Sequence, residues 1–253
     1  MPAARPPRPD QVYLFGTCLI DLFVPEAGLD AVRLLEREGL TVHYPQAQSC
    51  CGQPAWTSGN PDEARRVAAA QIALFDQPWP IVVPSGSCAG MMRHHWPTLF
   101  DDDPALQARA RDVAGRVHEL AGFLVEVLAV DYSGAGGDPV TVGLHTSCSA
   151  RREMGTRVHG VQLLSALPGV TLDTHASESE CCGFGGVFSL KHADISGAIV
   201  RDKVASLSAV CERFVTADCG CMLNISHAAE HQGRPLRGEH IATFLRRRLE
   251  GEA

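Results

Sequence analysis

The cysteines of this chain occur twice in the same arrangement. Cys18 is followed after 32 residues by the adjacent pair Cys50 and Cys51, and 37 residues beyond that pair by Cys88. Cys148 is followed after 33 residues by the pair Cys181 and Cys182, and 37 residues beyond by Cys219, with Cys221 close behind. The flanking residues match as well: Gly16-Thr17-Cys18 against Thr146-Ser147-Cys148, and Cys50-Cys51-Gly52 against Cys181-Cys182-Gly183. Core burial does not require spacings to recur. The chain therefore reads as a tandem duplication, and that reading precedes any assignment of elements.

Apolar patterning repeats with the cysteines. A short strand at Val12 to Phe15 ends before Cys18, and a helix at Ala27 to Glu38 is closed by Gly39. A strand at Leu40 to Tyr44 delivers the chain to the first cysteine pair. Asn60, Pro61 and Glu63 read as cap, first position and capping-box partner of the next helix, which runs to about Phe75. Ile81 to Val83 reads as a buried strand, with Cys88 opening the following helix. The second half repeats this order, with strands at Val140 to Leu144, Val170 to Leu172 and Phe214 to Thr216. Its helices fall at Arg152 to Ala166, Ala193 to Ser206 and Met222 to Glu230.

Strands alternating with helices predict an α/β fold: two copies of a small Rossmann-like parallel-sheet unit, related by a pseudo-two-fold axis. The expected boundaries are a disordered lead-in over 1–10, a first repeat over 11–100, a connector over 101–138 and a second repeat over 139–253. The connector reads as one helical stretch over 106–130 and a glycine-rich linker over 133–139. The tail helix at His240 to Leu249 carries Arg246-Arg247-Arg248, read as a solvated basic face.

Ten cysteines in 253 residues are too few for a disulfide-dense miniprotein and more than a cytosolic core needs. The first ten residues lack the apolar stretch of a secretory signal, and no apolar run reaches membrane-spanning length. The expected setting is the reducing cytoplasm, where metal ligation or thiol chemistry prevails over disulfides. A net charge of −7 and a pI near 5.9 argue against nucleic acid as a partner. Cys211, alone among apolar residues, reads as a small buried hydrophobe, and the scattered Trp and Phe residues read as core.

In each half the cysteines follow strands, where loops leave the carboxyl edge of a sheet and distant segments can converge. Thiolate sets of this kind suit iron–sulfur clusters or zinc. The candidate ligands are Cys18, Cys50, Cys51 and Cys88 in the first half and Cys148, Cys181, Cys182 and Cys221 in the second, with Cys219 as the alternative. Counting from the cysteine pair selects Cys219; matching the helix starts Cys88-Ala89-Gly90 and Cys221-Met222-Leu223 selects Cys221. Gly52, Gly183, Gly185 and Gly186 allow backbone N–H groups to approach sulfur. His145 either supplies protons or charge beside the second site or is a structural histidine; His94 and His95 face solvent or the contact between halves. A dinucleotide loop over Gly183 to Phe188 is rejected, because Phe188 stands where a small residue is needed.

The doubled pattern resembles the cysteine-rich CCG family, which includes the cysteine-rich subunit of heterodisulfide reductase and the iron–sulfur subunits of glycolate oxidase and anaerobic glycerol-3-phosphate dehydrogenase. The stretches Phe15-Gly16-Thr17-Cys18-Leu19-Ile20-Asp21, Cys50-Cys51-Gly52-Gln53-Pro54-Ala55, Pro84-Ser85-Gly86-Ser87-Cys88-Ala89-Gly90-Met91 and Cys181-Cys182-Gly183-Phe184-Gly185-Gly186 are similar to its lactate-utilisation branch. The resemblance implies an iron–sulfur subunit of an L-lactate (2-hydroxy acid) oxidation system, with one or two clusters, [4Fe-4S] in type. It also implies a ferredoxin-like iron–sulfur protein and a third subunit as partners. The sequence departs from the heterodisulfide-reductase pattern where Ser85 and Asp218 replace the first cysteine of a final Cys-x-x-Cys, which favours four ligands per half. Zinc as a structural ion and thiol–disulfide chemistry at the cysteine pairs are the competing readings.

Overall fold

The structure is a computed structural model that describes residues 7–252. Residues 1–6 of the expected lead-in lie outside the described residues; Arg8 already bonds to Leu128 and Glu38. The first unit runs β1 (Gln11–Leu14), α1 (Cys18–Phe23), α2 (Pro25–Arg37), β2 (Thr41–His43), α3 (Gln53–Thr57), α4 (Pro61–Ile72), β3 (Ile81–Val83) and α5 (Gly86–Gly90). After a π-helical turn and a 3₁₀ turn follow α6 (Pro104–Gly115), β4 (Val117–Glu119) and α7 (Leu120–Gly122), which continues as a π-helical turn to Leu128. The second unit runs β5 (Val140–Leu144), α8 (Thr156–Ser165), β6 (Val170–Asp173), α9 (Val187–Lys191), α10 (Ala193–Ser208), β7 (Arg213–Thr216), α11 (Cys219–His231), β8 (Arg237–His240) and α12 (Ile241–Leu249).

Each unit is a four-stranded sheet, and the orders β2-β1-β3-β4 and β6-β5-β7-β8 are the same order repeated. Every strand pair is parallel. The central strand Ile81-Val82-Val83 is buried throughout, as a strand covered by helices on both faces must be. Helix α2 buries Ala27, Ala31, Leu34 and Leu35 on one face. It ends where Gly39, at φ +81°, turns the chain back and Leu40 N–H bonds to Leu35 O.

The sheet register aligns the two halves residue by residue. Leu14 pairs with Val82 in one sheet and Leu144 with Val215 in the other. Cys18 and Cys148 therefore each stand four residues past matched leucines, and Cys88 and Cys221 each six past matched valines. Cys219 occupies the place of Gly86.

The halves pack reciprocally. The first unit's last helical segment, α7, lies on α8 of the second, and α12 lies on α2 of the first. Where they meet, Ser85 Oγ donates to Asp218 Oδ1 at 3.1 Å. These are matched positions in contact, which locates the pseudo-two-fold axis.

Several sequence expectations are corrected. The helix expected over 106–130 is broken by β4, an edge strand of the first sheet, so the first unit extends beyond residue 100 through the connector. The break follows α6, where the Arg116 guanidinium binds the carbonyls of Phe75, Gln77 and Trp79. The helices at Cys88 and Cys221 begin two residues earlier, at Gly86 and Cys219. Asn60 precedes α4 without capping it, since its amide donates to Ser58 O. The tail arginines are not a solvated face: Arg248 is buried and donates to the carbonyls of Gly137, Asp138 and Pro168. Arg246 pairs with the buried Asp30 at 2.9 Å, because α12 is packed on α2. Phe23 is not core; with Leu22 it is exposed on α1.

Candidate metal centres

The loops leaving β1 and β3 and the segment after β2 bring four sulfurs of the first half together. Cys18 Sγ lies 3.6 Å from Cys50 Sγ, and Cys51 Sγ lies 3.3 Å from Cys88 Sγ. In the second half Cys182 Sγ lies 3.1 Å from Cys221 Sγ, and Cys148 is a hydrogen-bond neighbour of Cys181. All ten cysteines are free thiols. The buried members are Cys51 in one half and Cys182 and Cys221 in the other, whereas Cys181 is exposed.

The glycine after each pair is fixed by geometry. Gly52 and Gly183 have φ of +87° and +85°, which L side chains rarely adopt. That turn aims Gly52 N–H at Cys50 Sγ, 3.4 Å away, and Gly183 N–H at Cys181 Sγ, 3.3 Å away. Gly185 and Gly186, also at positive φ, shape the turn into α9.

Hydrogen bonding sorts the thiols. Bonds from Cys18 and Cys51, with the Gly52 N–H, hold Cys50 down to about 3 against burial. Bonds from Cys148 and Cys182, with the Gly183 N–H, hold Cys181 down to about 2. Cys18 and Cys148 are pushed up because they donate to those partners, and burial adds to the effect. In each half the cysteine braced by its neighbours, Cys50 or Cys181, is thus the one that gives up its proton most readily. A soft donor set of four closely gathered sulfurs, with backbone N–H groups aimed at it, fits an iron–sulfur cluster or zinc.

Cys219 differs from this set. It is buried inside the start of α11, and its thiol is pushed up to about 12 by burial, with Asp218, Cys88 and Cys221 adding to the effect. It therefore sits within electrostatic reach of cysteines from both halves. Cys211 packs in the core with Sγ directed at Leu207 O.

The family model for a cysteine-rich domain named CCG matches the chain twice, over residues 12–93 and 142–226. Lactate utilization protein A of Anoxybacillus flavithermus is 41% identical over 94% of this chain and 99% of its own length. The protein of the same name from Macrococcus caseolyticus is 38% identical over 95% of this chain and 98% of its own. The chain belongs to the lactate utilization protein A family. A solved structure of a hypothetical Helicobacter pylori protein shares the fold with a TM-score of 0.64 at 12% identity. It aligns with 99% of this chain, which spans only 51% of that longer one.

In this member of the family the two halves are furnished differently around their cysteines. The position of Phe15 in the first half is taken by His145 in the second. Phe15 packs between Phe75 and Trp96. His145 is fully buried, and burial with nearby Lys203 and His175 pushes it down to about 3, so the ring is neutral. One ring nitrogen and the sulfurs of Cys182 and Cys221 lie within 4.8 Å of one another. Sequence reasoning named His145 but not its neighbours. It missed Lys203, a buried ammonium from α10 that donates to the carbonyls of Ser177 and Glu180 ahead of the second pair. In the first half Gln71 holds Ser49 instead. His94 and His95 contact Glu153 across the halves.

Proposed function

We propose that the chain is an iron–sulfur, electron-carrying subunit of a multi-protein L-lactate oxidation system. In this reading one cluster is held by Cys18, Cys50, Cys51 and Cys88 and a second by Cys148, Cys181, Cys182 and Cys221. The carrying observation is the convergence of two matched sets of four cysteines, in a chain whose relatives bear the name lactate utilization protein A. Cys221 rather than Cys219 is the ligand, on the ground that the register matches Cys221 to Cys88.

A bound cluster would supply a one-electron carrier; the chain's own groups hold and tune it. The N–H groups of Gly52 and Gly183 stabilise sulfur charge. Substrate oxidation and onward transfer fall to partners: a ferredoxin-like iron–sulfur protein and a third subunit, working in the cytoplasm. Among the described residues no helix is long and apolar enough to cross a membrane. Loaded protein without partners is expected to show no lactate turnover with an artificial acceptor, since a cluster supplies no hydride acceptor.

Zinc is the second reading, since closely paired sulfurs suit a single ion as well as a cluster. Two thiolates on one tetrahedral zinc stand roughly 3.8 Å apart, given bonds of about 2.3 Å. The sulfur pairs here stand at 3.1 to 3.6 Å. Anaerobic purification followed by iron, acid-labile sulfide and zinc analysis decides. Iron with sulfide supports the electron-carrying role; zinc alone removes it.

A further inference from the structure

Glu119, His145, Thr156 and Asp218 line one small cavity between the halves, about 10 Å³ in size, closed by Leu144 and Ile241. Each of these four residues has at least one buried atom without a hydrogen-bond partner. The atoms are Glu119 Oε1, Thr156 Oγ1, Asp218 Oδ2 and both ring nitrogens of His145. Buried polar atoms are ordinarily paired, so a cluster of unpaired ones calls for a single explanation. The molecule supplies its own control. His240 is equally buried, yet its Nε2 bonds to Pro84 O and its Nδ1 accepts from Ala242 N–H. His175, also buried, keeps one bond, between Nδ1 and Ser206 Oγ, whereas neither ring nitrogen of His145 is bonded.

We propose that His145 is a fifth metal donor of the second half, added to its four cysteines beside Cys182 and Cys221, and that Glu119 and Asp218 hold its other ring nitrogen across the cavity. The inference rests on the metal-binding reading above. Imidazole is a common ligand, and a ligating ring almost always gives its second nitrogen to a carboxylate, a carbonyl or water. One ring nitrogen lies within reach of the two sulfurs, and Glu119, which lines the same cavity as His145, comes from the first half. Glu119 Oε2 is already committed to Gly122 N–H, which leaves Oε1 for this task. Asp218 Oδ1 is likewise committed to Ser85 and Ser87, which leaves Oδ2. The two centres are consequently unlike: thiolate only in the first half, thiolate with imidazole in the second.

The test uses full-length Cys18→Ser protein loaded with iron and sulfide, in which the second centre is retained, and the same protein grown on ¹⁵N-histidine. Pulsed EPR of the reduced sample is expected to reveal a strongly coupled nitrogen whose splitting changes with the isotope. Cys221→Ser protein, keeping the first centre, should lack it. His145→Phe, which copies the first half, should remove it; the isotope comparison leaves residue 145 intact and so does not depend on that variant folding. Glu119→Gln should keep the coupling and raise the potential of the second centre while leaving the first unchanged. A cluster in Cys18→Ser protein without histidine coupling overturns the ligand assignment and leaves the iron reading standing. An unmoved second potential in Glu119→Gln overturns the part given to Glu119. If zinc replaces iron, ¹¹³Cd NMR of the cadmium-loaded protein decides: two unlike resonances support the proposal and two alike overturn it. If neither metal binds, the metal reading itself falls.

Discussion

The two halves share strand order, register and cysteine positions, yet they surround those cysteines with different chemistry. The first half backs its sulfurs with Phe15, Gln71 and Trp96; the Trp96 indole donates to Cys51 O at 2.8 Å. The second half puts His145 and Lys203 in the corresponding region, and Lys203 is within electrostatic reach of Cys181, Cys182 and Cys221. A buried ammonium beside a centre favours its more negative state. On the proposed cluster reading, Lys203 raises the potential of the second centre, and the carboxylates of Glu119 and Asp218 oppose it. Duplication gave two cysteine sets of one arrangement; substitution behind the sulfurs gave them different surroundings.

The largest expected effect would break the equivalence of Cys88 and Cys221. Serine at Cys221 should remove the metal of the second half, as serine at Cys88 should remove that of the first. Serine at Cys219 should leave most of the metal in place. Metal content and the EPR signal of each variant check this, and the reverse pattern between Cys219 and Cys221 would sink the register argument.

The next contrast lies at matched positions on the edge strands, Glu119 on β4 and His240 on β8. Burial raises the Glu119 carboxyl from 4.5 to about 7, with its N–H bonds opposing and Asp218 adding slightly. Its contribution to stability is full below the ordinary carboxyl value and is lost as pH rises through about 7. Metal-free protein should thus lose up to about 3 kcal/mol between pH 5 and pH 8 relative to Glu119→Gln. Burial lowers His240, so its contribution is present above the ordinary imidazole value and lost as pH falls. Urea unfolding across that range measures both; parallel curves for wild type and Glu119→Gln would refute the first.

Lys203→Met leaves the carbonyls of Ser177 and Glu180 without their donor and should cost about 2 kcal/mol in the metal-free protein. It should also lower the potential of the second centre and leave the first alone. A shift in both would mean that the halves are not electrostatically separate.

The smallest contrast is between the two glycines. A Cβ at Gly52 would meet Ala64 O at 3.3 Å, whereas one at Gly183 would meet Ser196 O at 2.6 Å. Alanine at either position takes on the left-handed backbone penalty of about 1–2 kcal/mol. Gly183→Ala should be worse by about 1 kcal/mol, because its Cβ would come closer to a backbone oxygen, which cannot swing away. Equal losses on denaturant unfolding would remove this difference.

The sequence carried the duplication, the parallel α/β class and the central strands, because buried strands announce themselves as apolar runs. It concealed β4 and β8. Val117-His118-Glu119 and Arg237-Gly238-Glu239-His240 are short and polar, and each is held by backbone pairing to a single neighbour. Counting leaves the choice between Cys219 and Cys221 open; register matches Cys221 to Cys88, since the extra residues lie between Cys182 and β7. The neighbours of His145 were illegible because they come from elements distant in sequence. Arg248 misled for a related reason: three basic residues in a row look solvated until the carbonyls of a distant loop are seen around one of them.

The contact between Ser85 and Asp218 bears on how such a chain arose. A single repeat would have needed a second copy to cover its first long helix, and its natural state would have been a symmetric dimer. On the dyad of such a dimer a residue faces its own image. Serine would have met serine, or a buried aspartate another aspartate in mutual repulsion. Joining the copies into one polypeptide lifted that constraint and let unlike residues meet on the axis, and with them unlike surroundings for the two cysteine sets on either side of it.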